Sequence, residues 1–275
     1  MPSLVTDPGI IHYETYGRGR PVLLLHGWLG SWELWRDTIE VLGREFRTYA
    51  LDFFGFGESG IVQSDEDSDR DRSEAFTVPT YVEMVYQFME RLGIESAPVI
   101  GHSMGGTVAL SLALTRPERV QQVVVVGSPI VGDSLSIWLR LAGKPWIAHA
   151  LWKTPFLLQT FLKLYSPFVT QKPGLWHKMV VRDVSATTLE SFFSSIRSLR
   201  YTDLTPRLKD LSVPAMGIYG LQDVIVDPHQ AKLLSQYAPN SHVTMLPHSG
   251  HFPMLDEPEH FNRQLLDFLL QHVAS

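Results

Sequence analysis

Six short apolar runs recur along the chain with helical stretches between them, and this alternation constrains the fold more than any other feature. The runs are Val22–His26, Arg47–Asp52, Pro98–Gly101, Gln122–Gly127, Ala215–Tyr219 and His242–Leu246, each bounded by glycine, aspartate or proline. They are too short for helices, and their continuous rather than alternating hydrophobicity fits strands buried on both faces. Between them, Val82, Met84, Val85, Phe88, Met89 and Leu92 repeat at helical spacing over Thr80–Leu92, and Gly93 stops that helix. Another helix runs to Leu114, and a last amphipathic one covers Pro258–His272. Strands alternating with helices imply right-handed crossovers and a mostly parallel sheet covered on both faces. Ligand sites in such sheets lie off the carboxyl ends of the strands.

Two segments interrupt the pattern. Glu58–Glu74 contains SDEDSDRDRSE, a mainly acidic run that reads as a solvated loop. From about Ser128 to Leu211 the strand signal gives way to short amphipathic helices, as an insertion between the sixth and seventh core strands would produce. The expected division is a core of residues 1–130 and 210–275 carrying a helical cap at 131–209.

Gly101-His102-Ser103-Met104-Gly105 matches the pattern G-x-S-x-G. Such a match arises by chance in about one chain in ten of this length, so its context decides. Here an apolar strand ends at Gly101 and a helix of small residues begins at once, which is the strand–turn–helix arrangement the motif requires. Ser103 would then stand in a strained turn at a helix N-terminus, where backbone amides favour negative charge. A serine hydroxyl needs a base. His251, in SGHFPMLDEP, lies past a late strand in the chain order Ser…Asp…His, and His248 on the same loop competes with it. His102 is read as packing beside the serine and walling the pocket. For the acid that orients the base, Asp223 in YGLQD caps a strand, with Asp227 and Asp133 as the alternatives. The backbone amides of Trp28 and Met104 are the candidates for an oxyanion hole.

Read in order, HGWLGS, LDFFGFGES, GHSMGG, GLQD and SGHF resemble the successive signatures of the α/β-hydrolase superfamily. The likeness is greatest to its small serine esterases, lipases and cofactor-free perhydrolases, and it runs from about Tyr13 to Phe268 apart from the cap. The resemblance implies an α/β-hydrolase fold with an eight-stranded mostly parallel sheet, a Ser103–His251–Asp223 triad, and neither cofactor nor metal. Serine at 103 sets the chain apart from branches that use an aspartate nucleophile.

Composition narrows the rest. The chain of 275 residues has no cysteine, which excludes disulfides and favours a reducing compartment. A formal charge of −6 argues against nucleic acid as a partner. No apolar run is long enough to span a bilayer and no secretory signal is visible, so a cytoplasmic location is expected. The sign of charge reverses in the cap. Between Asp133 and Asp183 there is no acidic residue but seven basic ones, interleaved with aromatics that include Trp138, Trp146, Trp152 and Trp176. Trp28, Trp138, Trp146 and Trp152 are expected to line a pocket for an apolar or amphiphilic acyl group, and the lysines to allow transient contact with an anionic membrane surface. The substrate expected is a small-molecule carboxylic ester. A ligand-binding receptor on the same scaffold, an acyltransferase, a perhydrolase and a carbon–carbon hydrolase are the rival readings.

Overall fold

A computed structural model describes residues 2–61, 72–142 and 144–271. The acidic run expected to form a solvated loop falls largely outside them. Nine strands form one sheet: β1 (Ser3–Val5), β2 (Gly9–Gly17), β3 (Arg20–Leu25), β4 (Phe46–Leu51), β5 (Gly60–Ile61), β6 (Ala97–His102), β7 (Val120–Val126), β8 (Ala215–Gly220) and β9 (Ser241–Leu246). Eight of them make a continuous path in the order β1-β2-β4-β3-β6-β7-β8-β9, and the two-residue β5 pairs with β2 off that path. The first two strands are antiparallel to their neighbours, whereas β4, β3, β6, β7, β8 and β9 run parallel.

The interior strands β6 and β8 are buried along their whole length, as their apolar runs require. Helices α1 (Arg36–Leu42), α2 (Val78–Arg91) and α3 (Met104–Thr115) connect the first parallel strands. In α2, Thr77 caps the N-terminus by accepting from the Thr80 amide, and Val78, Val82, Val85 and Met89 turn inward. Every residue of α3 from Met104 to Leu114 is buried, which suits its run of alanine, glycine and leucine against the sheet. The sheet is completed by α9 (Gln230–Tyr237), α10 (Pro253–Asp256) and α11 (Pro258–Gln271).

Between β7 and β8 lie five further helices: α4 (Ile137–Ala142), α5 (Pro145–Lys153), α6 (Pro155–Val169), α7 (Pro173–Ser185) and α8 (Leu189–Arg200). They lie on the chain between the sixth and seventh strands of the path, off the carboxyl end of β7. Thr188 opens α8 with a reciprocal cap, its hydroxyl taking the Ser191 amide while Ser191 Oγ takes the Thr188 amide. Ser191 Oγ also reaches across to donate to the Gly55 carbonyl, 2.8 Å away, which ties this helix to the turn after β4.

Candidate active site

The carboxyl end of β6 passes into α3 through one residue, Ser103, whose backbone sits at φ 52°, ψ −119°. That left-handed setting is costly for a side chain-bearing residue and persists only where its surroundings impose it. They do so here. The Ser103 amide donates to the Val126 carbonyl at 2.8 Å, locking the turn to the neighbouring strand. A Cβ on Gly105 would run into the carbonyl oxygens of Leu25 and His26, and one on Gly101 into the backbone of Gly105. Glycine at both positions is therefore a requirement of the turn.

Against the same turn lies the loop after β3. A Cβ added to Gly27 would fall 3.0 Å from Ser103 Cβ, so that loop and the serine are in close approach. His26 anchors the loop from behind: its Nδ1 donates to the Gly27 carbonyl at 2.7 Å and its Nε2 accepts from the Phe53 amide at 2.9 Å. Burial holds this imidazole below its usual pKa, which keeps it neutral as that bonding requires. The backbone amides of Trp28 and Met104 make no hydrogen bond among the described residues. The Trp28 indole is held by a bond to the Phe192 carbonyl at 2.9 Å, with the two rings 4.7 Å apart.

His251 enters from the loop after β9. Its Nδ1 lies 2.8 Å from Asp223 Oδ2, and both side chains are almost wholly buried. Asp223 is fixed in turn, because its Oδ1 accepts from the amides of Ile225 at 2.8 Å and Val226 at 3.0 Å. The His251 backbone is clamped on both sides, its amide on the Val169 carbonyl and its carbonyl on His102 Nε2 at 2.8 Å. His102 is neutral with its proton on Nε2; burial, then the adjacent His251, hold it well below the usual histidine pKa. No hydrogen bond joins Ser103 Oγ to His251 among the described residues, though both side chains face one cavity.

That cavity measures about 330 Å³, within the range of small-ligand sites, and its wall is apolar apart from a few converging polar groups. Leu158, Leu162 and Tyr165 of α6 line it, as do Val180 of α7 and Phe192 and Ile196 of α8. Among the described residues Asp183 is the one carboxylate in the wall. Its Oδ1 accepts from Ser31 Oγ and from Nε and Nη2 of Arg182, which also pairs with Glu33. Burial nevertheless raises its pKa to about 6.

Of the residues expected from the sequence, Ser103, His251, Trp28 and His102 meet at this cavity, and Asp223 supports it from behind. The alternatives lie elsewhere. His248 is exposed, with its amide on Glu257; Asp227 is exposed and paired with His229 at 2.8 Å; Asp133 is exposed before α4. Two of the expected cap tryptophans do not line the cavity. Trp146 points outward at 70% exposure, because the inner side of α5 is taken by Ile147. Trp152 is half-buried behind the wall, its ring 5.8 Å from that of Phe192. Trp138 lies within α4, and its side chain is outside the described residues. Phe192, Ile196 and Asp183 were not anticipated; the helical spacing of Phe192, Ile196 and Leu199 on α8 was the available signal. Among the described residues no group of three or more histidines or carboxylates is placed to hold a metal ion, and no helix is long and apolar enough to cross a membrane.

A strained serine between strand and helix, an imidazole–carboxylate pair and two unbonded amides at one end of a parallel sheet define a class. Residues 20–258 match the family model described as the alpha/beta hydrolase fold, and the chain belongs to that family. Within it the chain is an ester-hydrolysing enzyme, to judge by its relatives. It is 30% identical over 263 residues to the pimeloyl-[acyl-carrier protein] methyl ester esterase of Nitrosomonas europaea, covering 91% of this chain and 96% of that protein. It is 24% identical to the putative carbamate hydrolase RutD of Serratia proteamaculans, over 95% of this chain and 96% of the relative. Among solved structures, a thermophilic esterase from Thermogutta terrifontis superposes with a TM-score of 0.82 at 21% identity, over 99% of both chains. The enol-lactonase of Burkholderia xenovorans gives 0.80 at 20% identity, over 98% of this chain and all of the other.

Proposed function

We propose that this chain is a serine esterase that cleaves small carboxylic esters with an apolar acyl group by two-step acyl transfer. The observation that carries the reading is the apolar cavity onto which both Ser103 and His251 open, with Asp223 hydrogen-bonded to the far side of the imidazole. Asp223 fixes the tautomer in which Nδ1 carries the proton and Nε2 is free to accept one. Ser103 Oγ attacks the ester carbonyl as its proton passes to His251 Nε2. The oxyanion forms against the amides of Trp28 and Met104, where each donor supplies on the order of 3 kcal/mol. His251 then protonates the departing alcohol, and water repeats the sequence on the acyl-enzyme. The helical insertion, residues 131–209, serves as a cap whose inner faces select the acyl chain. The Nitrosomonas relative is named for cleaving the methyl ester of a pimeloyl group on acyl-carrier protein, which supports ester hydrolysis as the reaction.

A fluorophosphonate probe and a p-nitrophenyl ester series of increasing chain length test this directly. Wild type is expected to be labelled at Ser103, to give a burst of nitrophenol, and to favour chains longer than acetate. Ser103→Ala should lose both label and burst. Turnover that survives in Ser103→Ala, or a wild type that prefers acetate throughout, would overturn the reading.

A further inference from the structure

The helix α6 carries an inner and an outer apolar stripe, about 120° apart around its axis. Leu158, Leu162 and Val169 turn inward and are buried. On the outer side, Leu157, Leu164 and Phe168 fall on one stripe at spacings of seven and four, and they are 57, 70 and 64% exposed. Phe156 stands beside them at 78%. From Leu157 to Phe168 this stripe is about 17 Å long. Exposed apolar surface concentrated in this way marks a contact site, whereas isolated exposed leucines do not.

We propose that this outer face of α6 docks on an anionic lipid bilayer. Two observations select that occupant. The first is charge: Lys153, Lys163 and Lys172 are all exposed on the helix or at its ends, and no acidic residue occurs between Asp133 and Asp183. The chain as a whole carries a net charge of −6, so this segment reverses the overall balance of charge, although Asp256 meets Thr170 and Gln171 just past the end of the helix. The second is chemistry. Protein interfaces are enriched in aromatic residues, methionine and arginine but depleted in lysine, so the lysines beside this ridge are what set it apart from such a surface. The α6 ridge offers leucine, phenylalanine and lysine, the pattern of helices that lie in the headgroup region with apolar side chains buried and basic ones at the phosphates. Docking does not depend on the reaction proposed above. Its consequence does: the inner face of the same helix walls the cavity, so a bilayer on the outer face brings the site beside a reservoir of acyl chains.

Co-sedimentation of the full chain with vesicles of phosphatidylcholine, with and without phosphatidylglycerol, tests the proposal. Wild type should sediment with the anionic vesicles at least about tenfold more than with neutral ones, and high salt should release it. Changing Leu157, Leu164 and Phe168 to serine should reduce binding by at least about tenfold, and each of Lys153→Gln, Lys163→Gln and Lys172→Gln by about fivefold. None of these residues lines the cavity, so hydrolysis of a soluble acetate ester serves as the folding control and should be unchanged. Binding is also measured in Ser103→Ala, so failure of docking is separable from failure of the esterase reading. Three outcomes would overturn the proposal: no sedimentation with either vesicle, equal sedimentation with both, or dimerisation of the free protein that the serine substitutions abolish.

Discussion

At Gly105 the space for one methyl group is already occupied by the carbonyl oxygens of Leu25 and His26. Those oxygens belong to β3 and the loop leaving it, and neither moves without opening the sheet beside Ser103. Gly105→Ala should therefore destabilise the protein by more than about 2 kcal/mol, read as a lower urea midpoint at unchanged slope. Asp223 makes a different kind of contribution, because its carboxylate meets one imidazole and two amides rather than a packed wall. Asp223→Asn preserves the shape but turns an N–H toward His251 Nδ1 and selects the wrong tautomer. We expect kcat for a p-nitrophenyl ester to fall by roughly 10³–10⁴ with little change in KM; a loss below tenfold would remove Asp223 from the proposed mechanism. Both residues were legible in the sequence, for the same reason. A strand-to-helix turn and a carboxylate at a strand end are specified within a few consecutive residues, so the local pattern carries the information.

Helices that cover the site were less legible, and α6 shows why. Its apolar residues form two stripes along the helix, so periodicity cannot say which one turns inward. The choice is made by neighbours far along the chain, and it sends Trp146 outward while α8 supplies Phe192 and Ile196 to the wall. Phe192 is the contact between helix and loop, with its ring against Trp28 and its carbonyl holding the Trp28 indole. Phe192→Ala removes a buried ring at a cost of roughly 3–5 kcal/mol, lowered where the loop collapses into the space. It also lengthens the cavity. The chain-length optimum in the ester series should shift to longer acyl groups, whereas an unchanged optimum would show that α8 does not bound the acyl chain.

Across the whole molecule, the buried titratable groups act against one another as pH changes. His26 and His102 are neutral and held below the usual histidine value of 6.5, chiefly by burial. In the unfolded chain both take up protons as pH falls through 6.5, while the folded protein does not, so each contributes stability that is lost on acidification below that point. Asp183 has the opposite sign. Its folded pKa of about 6 lies above the unfolded 3.8, so the unfolded chain releases its proton first and stability is lost as pH rises from 3.8 to about 6, on the order of 2–3 kcal/mol in total. The two effects overlap and oppose each other between pH 4 and 6. Asp183→Asn removes the Asp183 side of this opposition and leaves that of His26 and His102 in place. Its amide still accepts from Ser31 and Arg182, and Arg182 keeps Glu33. The variant should therefore lose melting temperature more steeply than wild type between pH 6 and 4 while differing little in slope above pH 7. Parallel curves for the two proteins across that range would mean that Asp183 ionises on the wall of the cavity as readily as it does in water.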